Sequence, residues 1–279
     1  MPNLKLTLSE HFVNLLRTVV MPLFAVALVT LLGFASTAQA ESTKFKILGE
    51  STKNLTPNCG TESQRSCTAE GRITAYQSKG PGMENRPFVV PFKGKIISWS
   101  ISLANPTRKK IGNRDAELPF FDDIFGSPSQ ARIAVLKRVE KKKKGPPRYK
   151  MVRQSPVQIL NPYFGTTVQF ALSEPLNVIE DQIVALTIPT WAPSLWRPRA
   201  CDETSVGLVN EAVCDSTSRT ATWRGSRGPG KCELAGDTAA ERDANVAGSH
   251  PQQKVDSVKR YGCYYGSNVM LYTATLVGK

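Results

Sequence analysis

KIISWSISL, residues 95–103, decides the fold. Ile97, Trp99, Ile101 and Leu103 alternate with Ser98, Ser100 and Ser102. A period of two over seven residues marks a strand with one apolar, buried face. Working outward, the same alternation recurs in TVQFALS, residues 167–173, where Val168, Phe170 and Leu172 alternate with Gln169, Ala171 and Ser173. QIVALTIP, residues 182–189, is apolar on both faces and reads as a central strand. VMLYTATLV, residues 269–277, is rich in β-branched and aromatic residues. Further strands are expected over residues 73–77, 87–92, 132–139, 148–154, 157–160 and 255–265. Prolines at 106, 119, 128, 156, 162, 175 and 189 mark edges and turns between these runs.

Helix signals are few and polar. Asp237 is placed to cap a short helix over residues 238–244, and residues 202–213 offer a second. No amphipathic helix lies between strands to make a parallel crossover. The expected architecture is all-β: an antiparallel β-sandwich, jelly-roll-like, with a long disulfide-pinned loop insertion. Residues 71–279 read as a single β-sandwich domain, 41–70 as a polar lead-in, and 190–250 as the insertion. Long structured loops on a rigid scaffold are where function tends to sit.

The first forty residues carry a secretory pattern. Lys5 and Arg17 precede the apolar run TVVMPLFAVALVTLLGFA, residues 18–35, and Ala38 and Ala40 occupy small-residue cleavage positions. A signal peptide over residues 1–40, cut near Ala40, is expected, giving a secreted or cell-surface protein. The competing reading is an uncleaved anchor, since the run is nearly long enough to span a bilayer. Pro22 and Gly33 interrupt the run. With cleavage, the mature chain carries no transmembrane span.

All six cysteines follow residue 40, and an even number in an exported chain reads as three disulfides. Fifteen pairings are possible, of which Cys59–Cys67, Cys201–Cys214 and Cys232–Cys263 are expected. Zinc is the rival reading, but there is no Cys-x-x-Cys and histidine is nearly absent. The formal net charge is +13, which favours anionic partners.

A set of blocks runs through the chain in fixed order. They are SWS (98–100), ARIAVLKRV (131–139), YKMVRQSP (149–156), FALSEPLNV (170–178), QIVALTIPTWAP (182–193) and YGCYY (261–265). Together, over residues 86–277, they resemble a large set of secreted, functionally uncharacterised β-sandwich proteins of actinobacterial type. The resemblance implies fold and compartment, and it carries no catalytic residues across.

Three constellations are candidates for function. The first is KRVEKKKKGPPRYKMV, residues 137–152. Its plainer reading is the solvated tip of a hairpin between two strands, with lysines discouraging edge pairing. Its functional reading is a polyanion patch of Lys141, Lys142, Lys143, Lys144, Arg148 and Lys150, with Arg132, Lys137, Arg138 and Arg153 nearby. No base-reading module accompanies it, so sequence-specific nucleic-acid binding is not expected. The second is TWAPSLWRPRAC, residues 190–201, with TWRGSR, residues 222–227. Trp191, Trp196 and Trp223 would stack on sugar rings, while Arg197, Arg199 and Arg224 would hold acidic groups. The plainer reading has the rings covering the sandwich edge. The third is ELPFFDDIFGSP, residues 117–128, where Asp122 and Asp123 are weak calcium candidates or half of a glycosidase pair. Adjacent residues rarely point the same way, so a loop with a short helical turn is the plainer reading.

Nucleophilic chemistry is largely set aside. His250 is the one histidine after residue 40, there is no Gly-x-Ser-x-Gly elbow, and oxidised cysteines offer no thiol. No cofactor is expected. The leading expectation is a non-catalytic extracellular binder of a glycan or cell-wall polymer. The alternatives are an envelope protein binding an anionic polymer, and a carboxylate-based glycoside hydrolase.

Overall fold

The computed structural model describes residues 43–278, apart from 60–66, 82–83, 111–115, 140–144, 198–220, 229, 235–237 and 267. Residues 1–40, the lysines at 141–144, Arg199, and the Cys201–Cys214 pair therefore lie outside the described residues.

Fourteen strands are described, and every pairing between them is antiparallel. The smaller sheet has the order β1 (Lys44–Leu48), β14 (Tyr272–Gly278), β3 (Gly94–Ser102), β7 (Thr167–Val178). The larger has the order β11 (Val258–Arg260), β5 (Arg148–Gln154), β4 (Gln130–Arg138), β8 (Ile183–Ala192), β2 (Glu70–Lys79), β10 (Thr222–Gly225), β12 (Cys263–Gly266). The short β6 (Gln158–Ile159) pairs with β4, and β9 (Leu195–Trp196) pairs with β13 (Val269–Met270). Two α-helices are among the described residues, α1 (Glu117–Phe125) and α2 (Ala239–Ala247). No helix among the described residues is long and apolar enough to cross a membrane.

The alternation in residues 95–103 forms β3, with one slip. A bulge between Ile96 and Ser98 breaks the period, so Ile96 is buried and Ile97 turns outward. Trp99 and Ile101 enter the core, with Trp99 tilted against Phe170 at 4.8 Å between ring centroids. Both sheets feed one cluster, in which Trp99, Tyr272 and Leu276 from the smaller sheet meet Ile73, Ile133, Leu186 and Ile188 from the larger. Burying rings and branched side chains of this size drives the association of the two sheets.

β8 is central and buried almost throughout, as its continuous apolar run requires. It contains Pro189, a residue that cannot donate to a ladder. The pairing with β2 shifts between Gly71 and Ile73, opposite that proline, so the missing N–H falls at an irregularity. Pro175 lies in β7, an edge strand, where a missing donor costs little.

Several expectations need correction. Residues 43–52 are not a loose lead-in: β1 pairs with β14, Leu48 is in the core and Thr52 is buried. Gly49 ends that strand in the left-handed region (φ 75°), packed so closely on Phe88 that a Cβ would overlap the ring. Residues 87–92 contribute only an isolated bridge, Val89 to Ile183. Residues 190–250 are not a loop throughout, because β10 is a full member of the larger sheet. Residues 117–125 form an α-helix rather than a single turn. The helix expected over 238–244 is α2, which begins one residue later and runs to Ala247 with the Thr238 side chain accepting from the Glu241 N–H, while Asp237 and the helix expected over 202–213 lie outside the described residues.

The expected strand over residues 255–265 divides in a way that shapes the molecule. β11 and β12 lie at opposite ends of the larger sheet, yet only Tyr261 and Gly262 separate them. Two linking residues span about 11 Å at most. The sheet therefore curls until its outer strands nearly meet, as a half-barrel. Tyr261 sits buried at this seam, its ring 5.9 Å from Tyr76 and 5.1 Å from Tyr149. Its hydroxyl donates to Gln252 Oε1 at 2.9 Å, and Gln252 Nε2 donates to the Tyr149 carbonyl.

Among the described residues there are two disulfides, Cys59–Cys67 and Cys232–Cys263. The second ties the segment after β10 to β12, and in the chain-entropy model a loop of that size is worth about 3–4 kcal/mol.

Candidate functional site: a cationic pocket at the mouth of the curled sheet

Trp191 and Trp223 are fully buried, which corrects the expectation of open stacking faces. Trp191 packs against Phe121 (5.0 Å) and Phe164 (5.5 Å), and its indole N–H donates to Asp122 Oδ1 at 2.9 Å. Trp223 stacks on Tyr265 at 3.8 Å. Trp196 is half-buried beside Ala221, Val269 and Leu271. The Arg197 backbone exchanges hydrogen bonds with the Asn58 side chain. A Trp191→Ala variant should therefore lose about 3–5 kcal/mol of stability. Urea unfolding checks this. A binding defect at unchanged stability would instead restore the stacking reading.

Asp122 is held by the indole, and Asp123 is the next residue along α1 and exposed. Successive helix positions diverge by about 100°, so the two carboxylates do not converge. Among the described residues one group of potential metal ligands comes together, Cys59, Cys67 and Glu117. Both sulfurs are in a disulfide, and both Glu117 oxygens accept backbone N–H groups, from Cys67 (2.7 Å) and Thr107 (3.0 Å). That carboxylate is a fastener between segments.

The arginines assemble where the tryptophans do not. A pocket of about 420 Å³ opens at one end of the curled sheet, and Arg86, Arg138 and Arg224 line it. Tyr76 and Tyr149 lie beneath, their hydroxyls bonded to each other at 2.8 Å. Each arginine comes from a different part of the chain. Arg138 ends β4, opposite Tyr149 on β5. Arg224 is on β10, opposite Tyr76 on β2, with its guanidinium over the Tyr264 ring at 4.9 Å. Arg86 is fixed by its N–H to the Ser78 carbonyl and by Val89 N–H to its own carbonyl.

Among the described residues one carboxylate, Asp181, lines the pocket with these arginines. Asp181 lies 3.5 Å from Arg86, and both groups are largely exposed, so the pair contributes little to stability. Both residues hold positive φ, 56° for Arg86 and 65° for Asp181. Aspartate tolerates that region and arginine rarely enters it, so the rim carries local backbone strain. Burial raises the Tyr76 hydroxyl pKa, with Tyr149 adding to the shift and Arg224 and Arg138 opposing it. Tyr76 is therefore a neutral hydroxyl that donates and accepts, not a base. Three guanidiniums above a pair of hydroxyls offer charge-assisted donors to an oxyanion.

The lysine run joins β4 and β5, which are paired antiparallel as a hairpin requires. Gly145 and Pro147, at the near end of that connection, line the pocket. Along the hairpin, Lys137 stands directly opposite Lys150, and Arg148 opposite Arg260 on β11. Like charges facing across a ladder are destabilising. Lys150 is relieved by Asp256 at 2.8 Å.

Sequence reasoning placed Arg138, Arg148, Lys150 and Arg224 among candidates, in two separate groups. The structure brings Arg138 and Arg224 to one pocket. Arg86 was not among the sequence candidates, since it has no local signal beyond an arginine before a proline.

Two other pockets are notable. One of about 200 Å³ is lined by Arg227, Lys231, His250, Lys259 and Arg260, beside the end of α2. The other, about 330 Å³, lies on the outer face of the smaller sheet among Thr52, Ser100, Ser102, Thr167 and Thr273. None of the three is lined by two described carboxylates. No protein-family model, curated protein or solved structure matches the chain.

Proposed function

We propose that this is an exported, non-catalytic protein that binds an anionic polymer through the cationic mouth of its curled sheet. The observation that carries the reading is the convergence of Arg86, Arg138 and Arg224 on one pocket, whose described lining holds one carboxylate, Asp181. The chain's net charge of +13 points the same way. The ligand class is a linear polymer bearing phosphate or carboxylate groups, such as an envelope polymer presents. Two disulfides fit an oxidising compartment, and the secretory pattern of residues 1–40 supplies the route. The fold belonging to this reading is a jelly-roll-like sandwich, supported by two antiparallel sheets sharing one core.

A second reading has one observation in its favour. Hydroxyls carpet the outer face of the smaller sheet, with Ser98 bonded to Thr275 (2.9 Å), Gln169 to Ser98 (2.9 Å) and Ser102 to Thr167 (2.8 Å). Such a face suits the hydroxyls of a neutral glycan.

Binding to polyphosphate, polygalacturonate and dextran, measured from 50 to 300 mM salt, separates the two. The anion reading predicts binding to one or both polyanions that falls linearly in log affinity against log salt. Salt-independent binding to dextran alone would overturn it in favour of the hydroxyl face.

A further inference from the structure

The pocket beside α2 extends the site just proposed. Its side chains include Lys231, His250, Lys259 and Arg260, and no described carboxylate lines it. Arg227 also lines it, but its guanidinium is committed to Gly71, Cys232, Ser249 and Tyr265. The free charge of this pocket therefore resides in the lysines and Arg260. Lys259 donates one of its protons to the His250 carbonyl and is half-buried, which lowers its pKa.

The two cationic pockets approach each other at the seam of the half-barrel. The linking residues Tyr261 and Gly262 are each bonded to a lining residue of one pocket. Tyr261 N–H donates to the Pro147 carbonyl of the arginine pocket, and Gly262 N–H to the Arg227 carbonyl of the α2 pocket. Arg224 lines the first and Arg227 the second, three residues apart. Extended chain covers about 3.3 Å per residue, so the linings approach within about 10 Å. Arg148 and Arg260, opposite each other on β5 and β11, continue the positive charge alongside.

We infer that the α2 pocket is a second anion subsite, and that the seam between the pockets is a track for one linear polyanion. This rests on the anion reading of the first pocket. It makes the ligand a polymer with several charged groups, since one oxyanion cannot reach both pockets. Two subsites engaged by one chain gain through effective concentration, so affinity should rise steeply with chain length.

The test compares tripolyphosphate with polyphosphate of about 15 units. For the wild-type protein the longer chain should bind at least tenfold more tightly per molecule. In Lys231→Gln/Arg260→Gln, that length advantage should shrink to a few-fold while tripolyphosphate affinity holds. Both side chains are exposed, so the variant should fold. Lys46→Gln/Lys95→Gln removes the same charge from the smaller sheet and should keep the full advantage. An unchanged advantage in the first variant, or an equal loss in the second, overturns the track and leaves the arginine pocket standing. Failure of wild-type protein to bind either polyphosphate or polygalacturonate overturns both.

Discussion

Replacing Arg86, Arg138 and Arg224 together by glutamine should weaken polyanion binding by roughly 10²–10⁴-fold at 50 mM salt. Three charge-assisted hydrogen-bonding groups are lost, each worth about 1.5–3 kcal/mol when fully engaged. Fully engaged, the three would sum to about 4.5–9 kcal/mol, on the order of 10³–10⁷-fold, and screening and partial exposure bring the expected effect down to the smaller range. The salt dependence is the sharper signature. Each contact with an anionic group on a single-stranded polymer contributes about 0.7 to the slope of log affinity against log salt, so the slope should fall by about 2. Stability should be nearly unchanged. Arg86 and Asp181 form an exposed pair, and Arg138 is exposed. A triple variant that binds like wild type, at the same slope, would remove the pocket from the account.

Arg227→Met should cost about 3–5 kcal/mol, because it leaves a buried charge without its partner. The side chain of Arg227 is 4% exposed, and its Nη2 lies 3.5 Å from Glu70 Oε2. The same guanidinium donates to the Gly71 carbonyl, the Cys232 carbonyl, Ser249 Oγ and Tyr265 Oη, binding β2 to the segments after β10 and α2. Burial pushes the Tyr265 hydroxyl up to about 12, so Tyr265 remains a neutral partner at any working pH. Burial also raises the Glu70 carboxyl above its ordinary value, with Arg227 pulling it back down. A raised acid pKa means that the folded state holds the proton more tightly than the unfolded chain. That contribution to stability is fully present below the unfolded value, about 4.3, and is lost as pH rises through the folded value. Without Arg227 the folded value climbs further. The stability deficit of the variant should thus be larger at pH 8 than at pH 5, as read by urea unfolding of both proteins at each pH. A deficit independent of pH would show that Arg227 acts through its neutral hydrogen bonds alone.

The strands that were legible in the sequence are those whose apolar faces meet the shared core. β3, β7, β8 and β4 follow that rule, and their periods of two or continuous apolar runs reflect it. β10 escaped because Thr-Trp-Arg-Gly is too short to show a period, and it exists as a strand because β2 and β12 flank it. β1 escaped because its lysines face water at a sheet edge, while its pairing is made with the far end of the chain. Residues 255–265 carry strand character throughout, but nothing local tells that Tyr261 turns the chain from one edge of the sheet to the other.

The candidate site was less legible, for a related reason. Its arginines lie at 86, 138 and 224, and they meet only because the sheet curls. A sequence window sees the lysine run and the tryptophans, which are dense locally. It does not see charges that converge from two strands and a connecting segment. The tryptophans were conspicuous as a loop cluster, but Trp191 and Trp223 serve packing, and the Arg224 beside Trp223 turns to the pocket.

Anion binding in the arginine pocket is tested most directly by a titration followed through the arginine side-chain Nε–H resonances in ¹⁵N NMR, with polyphosphate of about 15 units as the probe. Arg86, Arg138 and Arg224 should shift first and saturate together, while the buried Arg227 stays still. Shifts confined to other arginines, with those three unmoved at saturation, would contradict it.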